Sequence, residues 1–306
     1  MISNRQKKIK KNLELRANII QAVRSFFISR EFLEVETPVR IPCPLPEVHI
    51  DAPGSGTWFL HTSPEACMKH LVSAGYNRIF QICKCFRENE RGERHLPELT
   101  MLEWYCVFAD YLDLMDQCEN LIKFVAIQIG CSGLLKYQKK KIDVTKPWER
   151  LSVKEAFDRY ASVPLETALL GNDFDEIISC EIEPNLGQER PLFLYDYPAS
   201  KASLARLKPG DPQKAERFEM YIAGVELCNA FSELTDQIEQ RKRFEADRHD
   251  RIMAGKADYP MPEKFLKSLE AMPPTAGCAL GIDRLVMIFA DTREIDDVVS
   301  FIPEEL

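Results

Sequence analysis

The sequence predicts an α+β fold, a mainly antiparallel sheet flanked by helices, on three observations. Strand-like and helix-like segments come in mixed order, without the regular strand, helix, strand repetition of a doubly wound sheet. Phe193-Leu194-Tyr195-Asp196-Tyr197 and the run Arg217 to Leu227 alternate in the manner of antiparallel strands. The chain has neither a G-x-x-x-x-G-K-[ST] loop nor a strand-linked G-x-G-x-x-G, so a nucleotide would have to be held by other means.

From Ile9 to Arg30 the residues Ile9, Leu13, Ile20, Val23 and Phe27 recur at helical spacing, predicting a long helix that feeds an extended segment, Phe32 to Pro38. Phe59 to Ser63 reads as a strand, Pro64 to Ala74 as a helix with Pro in its first turn, and Arg78 to Arg87 as another strand. A polar loop and a second strand through Glu103 and Tyr105 follow. Leu112, Met115, Leu121, Ile122, Val125 and Ile129 mark a further amphipathic helix. Residues 130–190 carry mixed charge and one clear helix, around Ser152 to Tyr160, and read as a central connecting insertion. Gly224 predicts a tight bend within the 217–227 run. Asp236 to Ala254 reads as a charged helix with a solvated face. Pro273 to Met287 reads as a small-residue strand entering a helix near Arg284.

At 306 residues and 45% hydrophobic content the chain can bury a substantial core. No apolar run approaches the roughly 20 residues that span a bilayer. The basic stretch Met1 to Lys11 is not followed by the apolar core of a signal peptide, so a cytoplasmic protein without membrane contact is expected. A net charge of −8 argues against an extended nucleic-acid surface. The ten cysteines are scattered. Cys83 and Cys85, in C-x-C spacing on one strand, fit neither the CxxC redox nor the usual zinc pattern and read as buried free thiols. His61 and His70 read as structural.

Arg87 closes an apolar strand, and Glu103 and Tyr105 stand two apart on the next. They therefore face one side and can converge on a cation, while Trp104 turns the other way into packing. In the 273–287 segment, small residues let a ligand approach the backbone, and Arg284 adds a full charge to the partial positive charge of a helix start.

These two segments resemble motifs 2 and 3 of the class II aminoacyl-tRNA synthetases, in their lysine branch, and Phe32 to Pro38 resembles the dimer-forming motif 1. The resemblance implies a single class II catalytic domain over residues 1–306. It puts Arg87 on the α-phosphate of ATP, Arg284 on the γ-phosphate, and Glu226 on a magnesium ion, which favours carboxylate oxygen. It further implies ATP contacts at Glu88, Asn89, His95, Leu227 and Gly281. Asn89 stands where many relatives have the adenine-contacting Glu, and Leu96 where Asn is common, leaving Glu88 or Glu90 as substitutes. For the amino acid, Glu103 and Tyr105 would receive the ε-ammonium, Ser63-Pro64-Glu65 would form the substrate loop, and Asn229 and Glu233 would add contacts. Pro38 resembles the interface proline and implies a homodimer.

Over nearly its full length the chain resembles the elongation factor P lysine ligase family, paralogues of the lysyl-tRNA synthetase catalytic domain without its anticodon-binding domain. Ile182 to Gly187, followed by Tyr197 to Ala205, matches that family's central region. Ala279 stands where tRNA-charging lysine synthetases have Gly, and its methyl would crowd an α-amino group while tolerating one on the β-carbon. The resemblance implies activation of (R)-β-lysine as the adenylate and its transfer to a lysine ε-amine of elongation factor P, with no tRNA. Two alternatives stay open: a truncated lysyl-tRNA synthetase paralogue using α-lysine, which would charge tRNA, and a catalytically silent regulatory pseudo-synthetase, which would fail to bind ATP.

Overall fold

The computed structural model describes residues 2–306. A nine-stranded sheet forms its centre. The strands are β1 (Leu33–Glu34), β2 (Arg78–Phe86), β3 (Glu98–Val107), β4 (Glu149–Ser152), β5 (Leu192–Pro198), β6 (Leu207–Lys208), β7 (Asp211–Ile222), β8 (Val225–Ser232) and β9 (Thr275–Gly281). Their spatial order is β1-β2-β3-β9-β8-β7-β5-β4, with β6 pairing β7. The interior pairs are antiparallel, and only the edge pairs β1/β2 and β4/β5 are parallel. The predicted α+β class is what the chain adopts.

One face is covered by α1 (Ile2–Ile28), α3 (Tyr111–Gln128) and the C-terminal helix α9 (Ile282–Ala290). Phe26, Phe27, Phe80, Trp104, Leu121 and Val286 pack there in the largest apolar cluster. Trp104 is fully buried, as its place between Glu103 and Tyr105 requires. α3 starts where Asp110 caps the backbone of Leu112 and Asp113, removing two unpaired donors. The opposite face receives α2 (Glu65–Ser73) and α8 (Glu263–Ser268), with Met68, Val72, Tyr105, Phe231 and Leu266 in a second cluster.

The helix expected from Ile9 begins at Ile2: Lys7 and Lys8 continue it on its exposed side, and Arg5 ties its first turns to Glu305. The 217–227 run is a hairpin: β7 and β8 reverse at Ala223 and Gly224, both with positive φ, so the bend falls where Gly224 placed it. Residues 130–190 hold more than one helix. A hairpin (Leu134–Tyr137 with Lys140–Asp143) and β4 precede α4 (Val153–Tyr160), and α5 (Leu165–Gly171) and α6 (Phe174–Ile177) follow it. These short elements bury Phe157, Phe174, Ile178 and Ile182 in a cluster of their own.

The charged helix α7 (Gln237–Met253) is not simply a solvated face. Gln240, Phe244 and Arg251 are buried. Arg251 donates to the carbonyls of Glu47, Ile50 and Ala257 and to Asp51, and lies 4.1 Å over the Tyr259 ring. Its five hydrogen bonds go to the 47–51 loop and to Ala257, which makes burial of the charge tolerable and ties that loop to the end of α7.

Candidate active site

A cavity of about 770 Å³ opens on the face that carries Tyr105 and Phe231. Its floor is set by strand register. Glu103 of β3 lies opposite Ala279 of β9, and Ala279 lies opposite Asn229 of β8. One step along, Gly277 lies opposite Tyr105 and Phe231. Any side chain at 277 would collide: a Cβ there would stand 2.4 Å from Tyr105 Cε1 and 2.5 Å from Glu233 Oε1.

One end of the cavity is acidic and buried. Glu103 is 2% exposed, accepts a hydrogen bond from Tyr105 Oη at 2.6 Å, and leaves Oε2 buried without a partner. Burial, then the charge of Glu65, pushes its carboxyl well above the usual range. Glu65, at the start of α2, and Glu233, after β8, both pair with the ammonium of Lys69, which is 1% exposed. Burial lowers the Lys69 pKa, but Glu233 and Glu65 outweigh it and the ammonium is held charged. Burial likewise pushes Glu233 up to about 8 against the pull of Lys69, because two carboxylates share that one cation. Three carboxyl groups thus share a pocket with a single lysine, and those of Glu103 and Glu233 can ionise when a further cation enters.

The other end is cationic. Arg284, in the first turn of α9, donates through Nη1 to Glu226 Oε2 and to the Glu226 carbonyl, both at 3.0 Å. Its Nη2 meets His95 Nε2 at 2.6 Å, so the imidazole accepts there. Burial and the adjacent Arg284 lower the His95 pKa, keeping the ring neutral. Burial would raise Glu226, but Arg284, Arg87 and Arg217 outweigh it and hold the carboxyl below its ordinary value. Arg87 sits 3.7 Å from Glu90, with Nε buried and unpartnered. Next to Arg284, the buried Asp283 accepts from Arg16 at 2.6 Å and from the Thr100 backbone at 2.7 Å, which ties α1, β3 and α9 together and fixes the arginine's helix.

The family described as tRNA synthetases class II (D, K and N) matches residues 1–305. Proteins named elongation factor P--(R)-beta-lysine ligase are 39% identical in Vibrio atlanticus over 315 residues and in Pectobacterium atrosepticum over 311, and 38% identical in Vibrio cholerae over 307. The three alignments cover 94 to 95% of this chain and of each relative. The chain belongs to the elongation factor P lysine ligase family of class II synthetases.

In this ligase-family chain, the cavity lining brings together Ser63, Glu65, Arg87, His95, Glu103, Tyr105, Glu226, Leu227, Asn229, Glu233, Ala279, Gly281 and Arg284. Leu227 is buried in the opposite core, so it can offer only backbone to a ligand. Pro64 does not line the cavity; its carbonyl accepts from Met68 and starts α2. Glu88 and Asn89 are the clear misplacements. Glu88 lies in the turn that follows β2 and its backbone pairs with Asp51, while Asn89 turns the chain with φ 65°. Both line a separate recess beside Tyr259, and Glu90, not Glu88, reaches the cavity.

Sequence reasoning missed Lys69, Arg217 and the 47–50 loop. Lys69 follows Glu65 by one helical turn, a spacing that signals an ion pair but not its burial. Arg217 donates to Asn229 at 3.1 Å and to Glu219 at 2.7 Å, which fixes the Asn229 amide. Among the described residues no helix is long and apolar enough to cross a membrane.

Proposed function

We propose that the chain condenses (R)-β-lysine with ATP to the acyl-adenylate and transfers the acyl group to a lysine ε-amine of elongation factor P. The observation that carries this reading is the joining of an acidic, three-carboxylate pocket to an arginine-lined channel in one cavity, in a chain whose relatives bear that ligase name. A lysine isomer brings two ammonium groups and one carboxylate. The ammonium groups can be met by the carboxyls of Glu65, Glu103 and Glu233, with Glu103 and Glu233 giving up their protons as the cations enter, and the carboxylate is left facing the arginines.

In the first step a lysine carboxylate oxygen bonds to the α-phosphorus of ATP as the bond to the β-phosphate oxygen breaks and pyrophosphate leaves. Arg87 takes the charge that gathers on the nonbridging oxygens, and Arg284 the departing end. Glu226 holds Arg284 in place through one oxygen. The other oxygen takes no hydrogen bond among the described residues, which leaves a hard donor on the cavity wall. This donor fits Mg²⁺, which when bound would neutralise phosphate charge. In the second step a deprotonated ε-amine attacks the acyl carbon and AMP leaves. His95, neutral and bonded to Arg284, is positioned to contact ATP.

Ala279 is the residue we read as selecting the β-isomer, since it stands between Glu103 and Asn229 on the pocket floor. We read residues 1–306 as one catalytic domain with 130–190 as its insertion. We also read the protein as a homodimer in the cytoplasm, a reading supported by the exposed apolar Ile28 and Leu33 beside the motif 1 segment. The test is direct: purified chain, ATP, Mg²⁺ and β-lysine should add one lysyl mass to purified elongation factor P, and an Arg87→Ala chain should not. An unmodified factor beside charged tRNA would favour the synthetase paralogue instead.

A further inference from the structure

Away from the phosphate channel, three soft donors meet at one point of the sheet. Cys83 and Cys85 lie on the cavity face of β2, two residues apart and therefore side by side, with their sulfurs 3.9 Å from each other. His61, from the segment before α2, completes the group: one donor atom from each of the three residues lies within 4.8 Å of the others. The spacing C-x-C reads as two unremarked thiols until the chain brings His61 alongside.

The histidine is arranged as ligating histidines are. It is 1% exposed, and its Nε2 meets the Lys84 carbonyl at 2.7 Å. That contact requires Nε2 to carry the proton, so Nδ1 presents a bare lone pair, and Nδ1 is buried with no hydrogen-bond partner. A carbonyl fixing the tautomer and a free second nitrogen is the outer-sphere arrangement found at metal sites. The sulfur spacing agrees as well: two thiolates bound at about 2.3 Å to a tetrahedral ion stand about 3.8 Å apart.

We infer that His61, Cys83 and Cys85 form a binding site for a borderline-soft divalent cation, zinc, with three protein ligands and a fourth position open to water. Zinc favours this mixed sulfur and nitrogen set, whereas magnesium favours oxygen, so the site is chemically separate from the carboxylates around Glu226. An ion here would pin the residue two positions before Ser63 to the strand that ends one residue before Arg87. The backbone already links the same points, Phe86 donating to the His61 carbonyl at 3.0 Å. A second thiol group, Cys118, Cys228 and Cys278, has equal sulfur spacing but no nitrogen donor and lies wholly within the apolar core, so it serves as the internal control.

The test is cobalt(II) titration of metal-stripped full-length chain, followed by sulfur-to-cobalt charge-transfer absorption, with competition by zinc. The inference predicts one tight equivalent displaced by zinc, a weakened band in Cys83→Ser and in Cys85→Ser, lower affinity in His61→Ala, and an unchanged band in Cys118→Ser. Absence of a charge-transfer band in the wild-type chain overturns it without reference to any variant. A band lost in Cys118→Ser and kept in Cys83→Ser also overturns it.

Discussion

Ala279 lies directly across from Glu103 in neighbouring antiparallel strands, so its methyl group stands on the pocket floor between the buried carboxylate and Asn229. A single methyl at that place can act on the amino group nearest the reacting carboxylate without touching the far ammonium. Ala279→Gly should therefore raise ATP–pyrophosphate exchange with α-lysine by about tenfold or more, the usual scale for one methylene of pocket space, while changing the β-lysine rate much less. An unchanged ratio of the two rates would remove Ala279 from the specificity argument.

Lys69 is the cation that holds the acidic pocket together. Lys69→Met leaves Glu65 and Glu233 buried and uncompensated, and should cost about 3–5 kcal/mol in denaturant unfolding. The loss should be smaller at pH 5 than at pH 8, because protonation relieves the two carboxylates. In the wild-type chain the sign is the same. Glu233 has a folded pKa of about 8, above its unfolded value, so the folded state binds the extra proton and stability from this group falls as pH rises toward 8. A destabilisation that does not depend on pH would contradict the shared-cation geometry.

The raised Glu103 carboxyl makes lysine binding a proton-releasing event. Free protein holds the proton, and an ammonium ion requires the carboxylate, so KM for the amino acid should fall as pH rises from about 5 and level off above the raised pKa. Initial rates against pH should show this slope in the wild type and none in Glu103→Gln, whose KM should be high throughout. A wild-type KM that is flat with pH would mean Glu103 is already ionised.

At the other end, Arg284→Ala should lower the exchange rate by about 10²–10³, with the fold kept, since the charge it supplies matters most as pyrophosphate departs. Glu226→Gln should raise KM for ATP and the magnesium concentration needed for half-maximal rate. Circular dichroism and exchange kinetics on the same preparations separate folding from chemistry. An effect of Arg284→Ala on lysine KM alone would place the arginine elsewhere in the reaction.

The parts of this molecule that were readable in the sequence are those set by local periodicity or by a motif. β2, β3 and β9 could be located, and with them Arg87, Glu103, Tyr105, Ala279 and Arg284, because strand alternation fixes which residues share a face. The short elements at 134–177 were not readable. Each is too brief to show a period, and their burial comes from packing on one another. Glu88 and Asn89 were misplaced because a positive φ at Asn89 redirects the loop, and an asparagine permits that turn without announcing it. Lys69 and Arg251 escaped notice for a shared reason. A buried charge is visible only when its partners are, and the partners of Arg251 lie about two hundred residues earlier in the chain.

The central claim is that one cavity activates a lysine isomer and prefers the amino group on the β-carbon. The most direct measurement is ATP–pyrophosphate exchange by the purified wild-type chain, without tRNA, comparing (R)-β-lysine with α-lysine at matched concentrations. The structure predicts exchange with both and a marked preference for (R)-β-lysine. Preference for α-lysine, or no exchange with either, would contradict it.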